Sequence, residues 1–312
     1  VKAAIIGISG TALTLAEAAL LRAHRPLGAI LFRRNVESPA QLRALNADLR
    51  EVLGEAAPIL VDQEGGRVAR LRPPRWPEFP PAASFEGGPA DAAHANAARL
   101  GAACADAGFD VVCAPVLDLR LPEQHQVIGD RAFSADPVEV ARLGAAWVAG
   151  LQGAGCVPVI KHIPGHGRAV VDSHESLPRV EADAALLAAD IAPFRALAGS
   201  GAWAMTAHIL YAAWDAARPA TLSPTVIDRV IRGEIGFDGV LVSDDLAMGA
   251  VAGLGGDLAA TAIAAGCDIV LHCTGMLEET SAILATCPDL SDAALRRLHA
   301  ARALRDTARV AA

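Results

Sequence analysis

The sequence predicts an α/β fold, a (β/α)8 barrel closed within one domain over residues 1–312. Three observations carry this expectation. Eight short apolar runs alternate with eight longer stretches of helical pattern, as in parallel strands joined by crossover helices. A chain of 312 residues suits one barrel with enlarged loops better than two ordinary domains. Ionisable residues gather where the strands end, the face of such a barrel at which ligands bind. The alternative is an open doubly wound sheet, but no GxGxxG follows the first strand.

In chain order the strands are read at 3–8, 28–32, 58–61, 111–114, 157–160, 204–206, 239–242 and 268–271. They are continuous apolar runs, which suits strands buried on both faces. Helices are read at 14–24, 39–54, 91–107, 136–153, 183–198, 224–234, 257–265 and 291–308. Ser38-Pro39 and Ser223-Pro224 each place an N-cap before a proline at the first helical position. The loops after strands three, four and five are long, at 62–88, 118–136 and 161–179. No fixed-period repeat and no low-complexity tail is present.

Bulk composition narrows the class. Hydrophobic residues make up 53%, enough for a large core. The net charge of −8, with scattered basic residues, argues against nucleic acid as a partner. No apolar run approaches the roughly 20 residues that span a bilayer, so no membrane insertion is expected. No leader pattern opens the chain at Val1-Lys2. Six cysteines occur without a CxxC pair, several inside apolar patterns, so a reducing cytoplasm is the expected location. Oligomeric state stays open.

Charge at the strand ends is the strongest functional signal. Strand three ends at Asp62, Asp118 follows strand four, and strand five ends at Lys161-His162. Strand six leads to His208, strand seven to Asp244, and strand eight ends at His272. Each desolvated charge costs roughly several kcal/mol unless paired, so six at one mouth are hard to explain by stability alone.

Within KHIPGHGRAVVDSHESLP (161–178), Asp172 and His174 form a carboxylate–imidazole pair. A carboxylate that accepts from one ring nitrogen fixes the tautomer and leaves the other for proton transfer. Asp244 and Asp245 end a strand too apolar to be exposed. One can cap the following helix and the other face the pocket, and periodicity does not say which. Asp62, with flexible Gly65-Gly66 and with Arg67 and Arg70, suits a polyhydroxylated ligand, and Arg131 has the same capacity. Lys161 and His162 directly follow apolar residues, against a purely solvated role. The spacing of His162, His166 and His174 with Asp172 raises a metal site, but Pro164, Gly165 and Gly167 forbid the helix that a zincin needs, so no metal is expected. No cofactor is expected either. The glycine-rich segment 249–257 is expected to make no ligand contacts.

VDQEGGRVARL, APVLD, IGDRAFS, KHIPGHG…DSH and GFDGVLVSDDLAM, in this order, resemble family 3 glycoside hydrolases over essentially the whole chain, and most closely the bacterial β-N-acetylhexosaminidases of the NagZ type. The resemblance implies Asp244 as nucleophile and His174 as general acid/base with Asp172 as its partner. It implies Asp62, Arg70, Arg131, Lys161 and His162 as sugar-binding residues. The implied substrate is terminal β-linked N-acetylglucosamine, as in muropeptides that carry anhydro-N-acetylmuramic acid in peptidoglycan recycling. Many larger members draw the acid/base from a second domain. Only a short tail follows the eighth unit, so the barrel's own loop is expected to supply it. A phosphorylase or a β-glucosidase on the same scaffold, or a catalytically dead sugar-binding protein, are the competing readings.

Overall fold

The computed structural model describes residues 1–122 and 125–311, with side chains as far as residue 304. Residues 123 and 124 of the loop after strand four lie outside the described residues. Eight parallel strands close into a barrel: β1 (Lys2–Gly7), β2 (Pro26–Leu31), β3 (Ile59–Val61), β4 (Val111–Val112), β5 (Val157–Ile163), β7 (Trp203–Thr206), β9 (Leu241–Asp245) and β10 (Ile269–His272), with β10 pairing back onto β1. Two further short strands, β6 (Arg179–Val180) and β8 (Leu210–Tyr211), pair with each other in a ribbon apart from the barrel.

The strand pattern follows from alternation. Ile5, Ile30, Leu60, Val159, Met205, Val242 and Leu271 fill the barrel interior. Their neighbours Ala4, Ile6, Ala29, Leu31, Ile59, Val61, Ile160, Leu241 and Val270 face the helices. Both faces are therefore apolar, and each fully buried Val, Leu or Ile contributes about 1.5–3 kcal/mol. β4 is shorter than expected because Pro115, just beyond it, has no N–H to continue the ladder.

The helices are α1 (Leu15–His24), α2 (Pro39–Leu53), α3 (Ala90–Asp106), α4 (Pro137–Gly153), α5 (Ala184–Ala196), α6 (Gly249–Ala252), α7 (Leu258–Ala265), α8 (Leu277–Thr286) and α9 (Asp292–Ala311). Thr14 with Glu17, and Ser38 with Gln41, form capping boxes that open α1 and α2. Asp136, Asp183 and Asp257 cap α4, α5 and α7. Ser223 Oγ accepts from the Val226 amide as expected, but the helix that follows, Val226–Glu234, is wound with i→i+5 bonds. Helices α6 and α8 are absent from the sequence reading. Among the described residues no helix is long and apolar enough to cross a membrane.

Two irregularities position the site. β5 does not stop at Ile160 but runs on through Lys161 and His162 to Ile163. Charged residues normally mark a strand's exit into water; here both are buried and paired. Lys161 stands opposite Met205 while Ile163 stands opposite Thr206, so β5 carries one extra residue there. β9 likewise carries an extra residue between Val242 and Asp245 against Ile269 and Leu271 of β10. Such bulges re-aim side chains, and consecutive residues of each strand (Lys161 with His162, Asp244 with Asp245) line one cavity.

Candidate active site

That cavity, about 450 Å³, opens at the C-terminal ends of the strands, where barrel ligands bind. Asp62, Arg70, Arg131, Lys161, His162, His174 and Asp244 all line it, so seven of the eight expected site residues share one wall or mouth. Asp172, the eighth, stands directly behind His174.

One wall is an ion network. Lys161 Nζ reaches Asp62 Oδ1 at 2.9 Å and Glu64 Oε1 at 2.6 Å. Arg131 grips Glu64 with two bonds of 2.8 and 3.0 Å, and Arg70 donates to Asp62 at 3.1 Å. Burial pushes the Asp62 carboxyl up, but Lys161 and the arginines outweigh it and hold it far below the usual range. The same contest leaves Glu64 at about 2, with Arg131 and Lys161 as its main stabilisers. Burial disfavours the Lys161 ammonium, yet the two carboxylates more than compensate and hold it charged. Gln63 places Arg70: its Oε1 accepts from the Arg70 and Leu71 amides, and its Nε2 donates to the Leu71 carbonyl. Gly65 permits the turn before it, with φ +98° and a Pro80 carbonyl where a Cβ would stand.

Asp118, fully buried, organises the next stretch. Its carboxylate accepts from His162 Nδ1–H at 2.7 Å and from the amides of His162 and His166 at 3.1 and 2.7 Å. This fixes the orientation of the His162 ring and keeps a proton on Nδ1. Burial raises the Asp118 carboxyl, and His162 pulls it back below its usual value. His166 packs edge-on against His162 and lies 3.3 Å from Ser173 Oγ through Nε2.

The two aspartates of β9 divide their work. Asp245 Oδ1 accepts from the Ala247 and Cys273 amides, both at 3.0 Å, so it caps the turn and ties β9 to β10. Burial raises its carboxyl. The Asp244 carboxylate accepts only from the neighbouring Asp245 amide, at 2.8 Å, among the described residues. Burial pushes Asp244 up, but His208, His162 and Lys161 outweigh it and keep it below the ordinary range, hence ionised. His208 is buried; its Nε2–H donates to the Asp245 carbonyl at 2.9 Å and its Nδ1 lies 2.7 Å from Thr221 Oγ1. Desolvation lowers its pKa, against the pull of Asp244.

On the far lip, His174 Nδ1–H donates to Asp172 Oδ1 at 2.7 Å, and the His174 amide donates to the same oxygen at 2.9 Å. The ring is 61% exposed, with Nε2 left for a reactant. Burial nudges Asp172 up, and these two donors bring it below its usual value.

Arg67 also lines the cavity, at its rim, where it is braced by Asp130 and by the carbonyls of Gln126, Val127 and Ile128. The segment 249–257, expected to make no ligand contacts, does contact the loop of His174: the Gly249 and Ala250 amides donate to the His174 and Ser173 carbonyls. Glu64 was missed, although its spacing from Asp62 puts both on one side of an extended run. Arg34 was missed too; it lines the cavity over the Phe32 ring and donates to the Ile8 and Cys273 carbonyls, and no sequence signal marks it. His272 lies outside the cavity, 3.2 Å from Thr274 Oγ1.

Comparison with known proteins fits this geometry. Residues 9–301 match the glycosyl hydrolase family 3 N terminal domain. The chain belongs to glycoside hydrolase family 3. A β-hexosaminidase of Alkalilimnicola ehrlichii is 43% identical over 309 residues, covering 95% of this chain and 88% of the relative. The crystal structure of NagZ from Neisseria gonorrhoeae in complex with N-trifluoroacetyl-D-glucosamine superposes with a TM-score of 0.86 at 32% identity, covering 98% of this chain and 93% of that one. A family 3 β-N-acetylglucosaminidase from Paenibacillus gives a TM-score of 0.87 at 34% identity; this chain covers 62% of that longer protein. The enzyme class expected from the sequence, a family 3 β-N-acetylhexosaminidase of the NagZ type, therefore stands.

Proposed function

We propose that this family 3 enzyme is a retaining exo-β-N-acetylglucosaminidase that works from one catalytic barrel, with Asp244 as nucleophile and His174–Asp172 as the acid/base dyad. The observation that carries the reading is the pairing of two groups at one cavity: an ionised carboxylate with few bonds of its own, and an imidazole whose Nδ1–H is held by Asp172 while Nε2 stays free. In the first step an Asp244 oxygen bonds to the anomeric carbon as the glycosidic C–O bond breaks, and His174 Nε2–H protonates the departing oxygen. In the second, His174 Nε2 takes a proton from water, whose oxygen displaces Asp244. Two inversions give net retention. Asp172 holds the ring and offsets its positive charge.

Asp62, Arg70, Arg131, Lys161 and His162 would bind the sugar hydroxyls. Their charges are already mutually compensated and their positions locked, so little ordering remains for the substrate to induce. The NagZ complex named above, which holds a glucosamine derivative, supports an N-acetylglucosaminyl group at this site. We extend the reading to N-acetylglucosaminyl-anhydro-N-acetylmuramic acid, with or without peptide, as the substrate, and to the cytoplasm as the location, which buried thiols such as Cys104, Cys113 and Cys267 support. The test is to trap the enzyme with a 5-fluoro analogue of N-acetylglucosaminyl fluoride and map the adduct by mass spectrometry. A label on Asp244 is expected; a label on another residue, or turnover with no adduct, would overturn the mechanism.

A further inference from the structure

The loop that carries the imidazole is docked onto α6, the short helix that follows the strand carrying the nucleophile. Gly249, in the turn that follows Asp244, donates its amide to the His174 carbonyl at 3.1 Å, and Ala250 donates to the Ser173 carbonyl at 3.1 Å. A Cβ at Gly249 would stand 2.6 Å from the His174 oxygen and 2.8 Å from the Glu175 oxygen. Both are backbone atoms, which cannot swing aside as a side chain would. The Gly249 φ lies outside the left-handed region, so its own conformation does not require glycine. The approach of the loop does. Gly253, in the same segment, meets nothing within 4 Å where its Cβ would be. A second tether lies one layer deeper: His166 Nε2 stands 3.3 Å from Ser173 Oγ, and both residues are buried.

We propose that Gly249 is a positioning residue whose amide, with that of Ala250, docks the 172–176 loop so that His174 is presented over the cavity that Asp244 lines. The proposal rests on His174 being the acid/base. It makes the turn after the nucleophile strand the seat of the proton donor, so that the two groups keep their registration through one contact. A side chain at Gly249 lifts the loop and removes proton donation while the nucleophile stays in place.

The test compares Gly249→Ala, Gly249→Val, Gly253→Ala and His174→Ala on an activated dinitrophenyl and an unactivated methoxyphenyl N-acetylglucosaminide. General acid catalysis contributes about 10²–10⁴-fold, and only poor leaving groups need it. Gly249→Val is expected to lower kcat/KM on the methoxyphenyl substrate by about 10²-fold and Gly249→Ala by about 10-fold. Both should stay within about threefold of wild type on the dinitrophenyl substrate, which also shows that the variants fold. Gly253→Ala should match wild type on both. Equal losses on both substrates, or none on either, for Gly249→Val would overturn the proposal provided that His174→Ala is selective. If His174→Ala is itself unselective, the acid/base assignment fails and the proposal falls with it.

Discussion

Glu64 gives the sharpest test of how the sugar wall is built. It is 5% exposed and holds two cations, Arg131 and Lys161, through three contacts of 2.6–3.0 Å. With Asp62 and Asp244 it makes three anions against Arg70, Arg131 and Lys161. Glu64→Ala leaves an uncompensated positive charge in a desolvated wall. Breaking a buried pair from one side costs about 3–5 kcal/mol. With a urea slope of about 3 kcal/mol/M for a chain of this size, the unfolding midpoint should fall by about 1–1.7 M. Glu64→Gln keeps the shape and one acceptor and should fall less. The pH dependence has a defined sign. The folded pKa of about 2 lies below the unfolded value of about 4.3, so this stabilisation is fully present above the unfolded value and is lost as pH falls through the folded one. The gap between wild type and Glu64→Ala should therefore be equal at pH 7 and pH 5 and should narrow at pH 3. A midpoint shift under about 0.3 M at pH 7, or a gap that widens in acid, would refute the reasoning.

Three further outcomes bear on the reaction. Asp244→Ala should lower turnover by more than about 10³-fold with an unchanged circular dichroism spectrum, since it removes the bonding atom; wild-type turnover would end the nucleophile assignment. Product analysis with and without phosphate should show free N-acetylglucosamine in both cases, whereas a dominant sugar 1-phosphate would make the enzyme a phosphorylase. Aryl N-acetylglucosaminide should be preferred over aryl glucoside by more than about 10-fold in kcat/KM, and the reverse preference would reject the substrate assignment.

The barrel was legible because strands buried on both faces leave continuous apolar runs such as Ile59–Val61, which alternate with longer helical stretches. The ends of those strands were less legible. Strand five reads as stopping at Ile160 because a one-strand pattern cannot show that Asp62, Glu64 and Asp118, which follow other strands, neutralise Lys161 and His162 inside the wall. The division of labour between Asp244 and Asp245 was hidden for the same reason: it depends on the Cys273 amide just after β10, distant in sequence. Helix α8 was overlooked because it is short and opens without a side-chain cap. Nothing in the glycine-rich run 249–257 singled out Gly249, and only the folded chain shows how near the His174 carbonyl comes to it.

The extra residues in β5 and β9 also bear on how such a chain can change. Substitution at 161–163 or 243–245 alters a group but leaves the pleat alone. Deleting one residue from either stretch would regularise the ladder and turn one member of the pair out toward the helices. Lineages should therefore vary in length around these strands, in the surface loops, while each strand keeps its residue count.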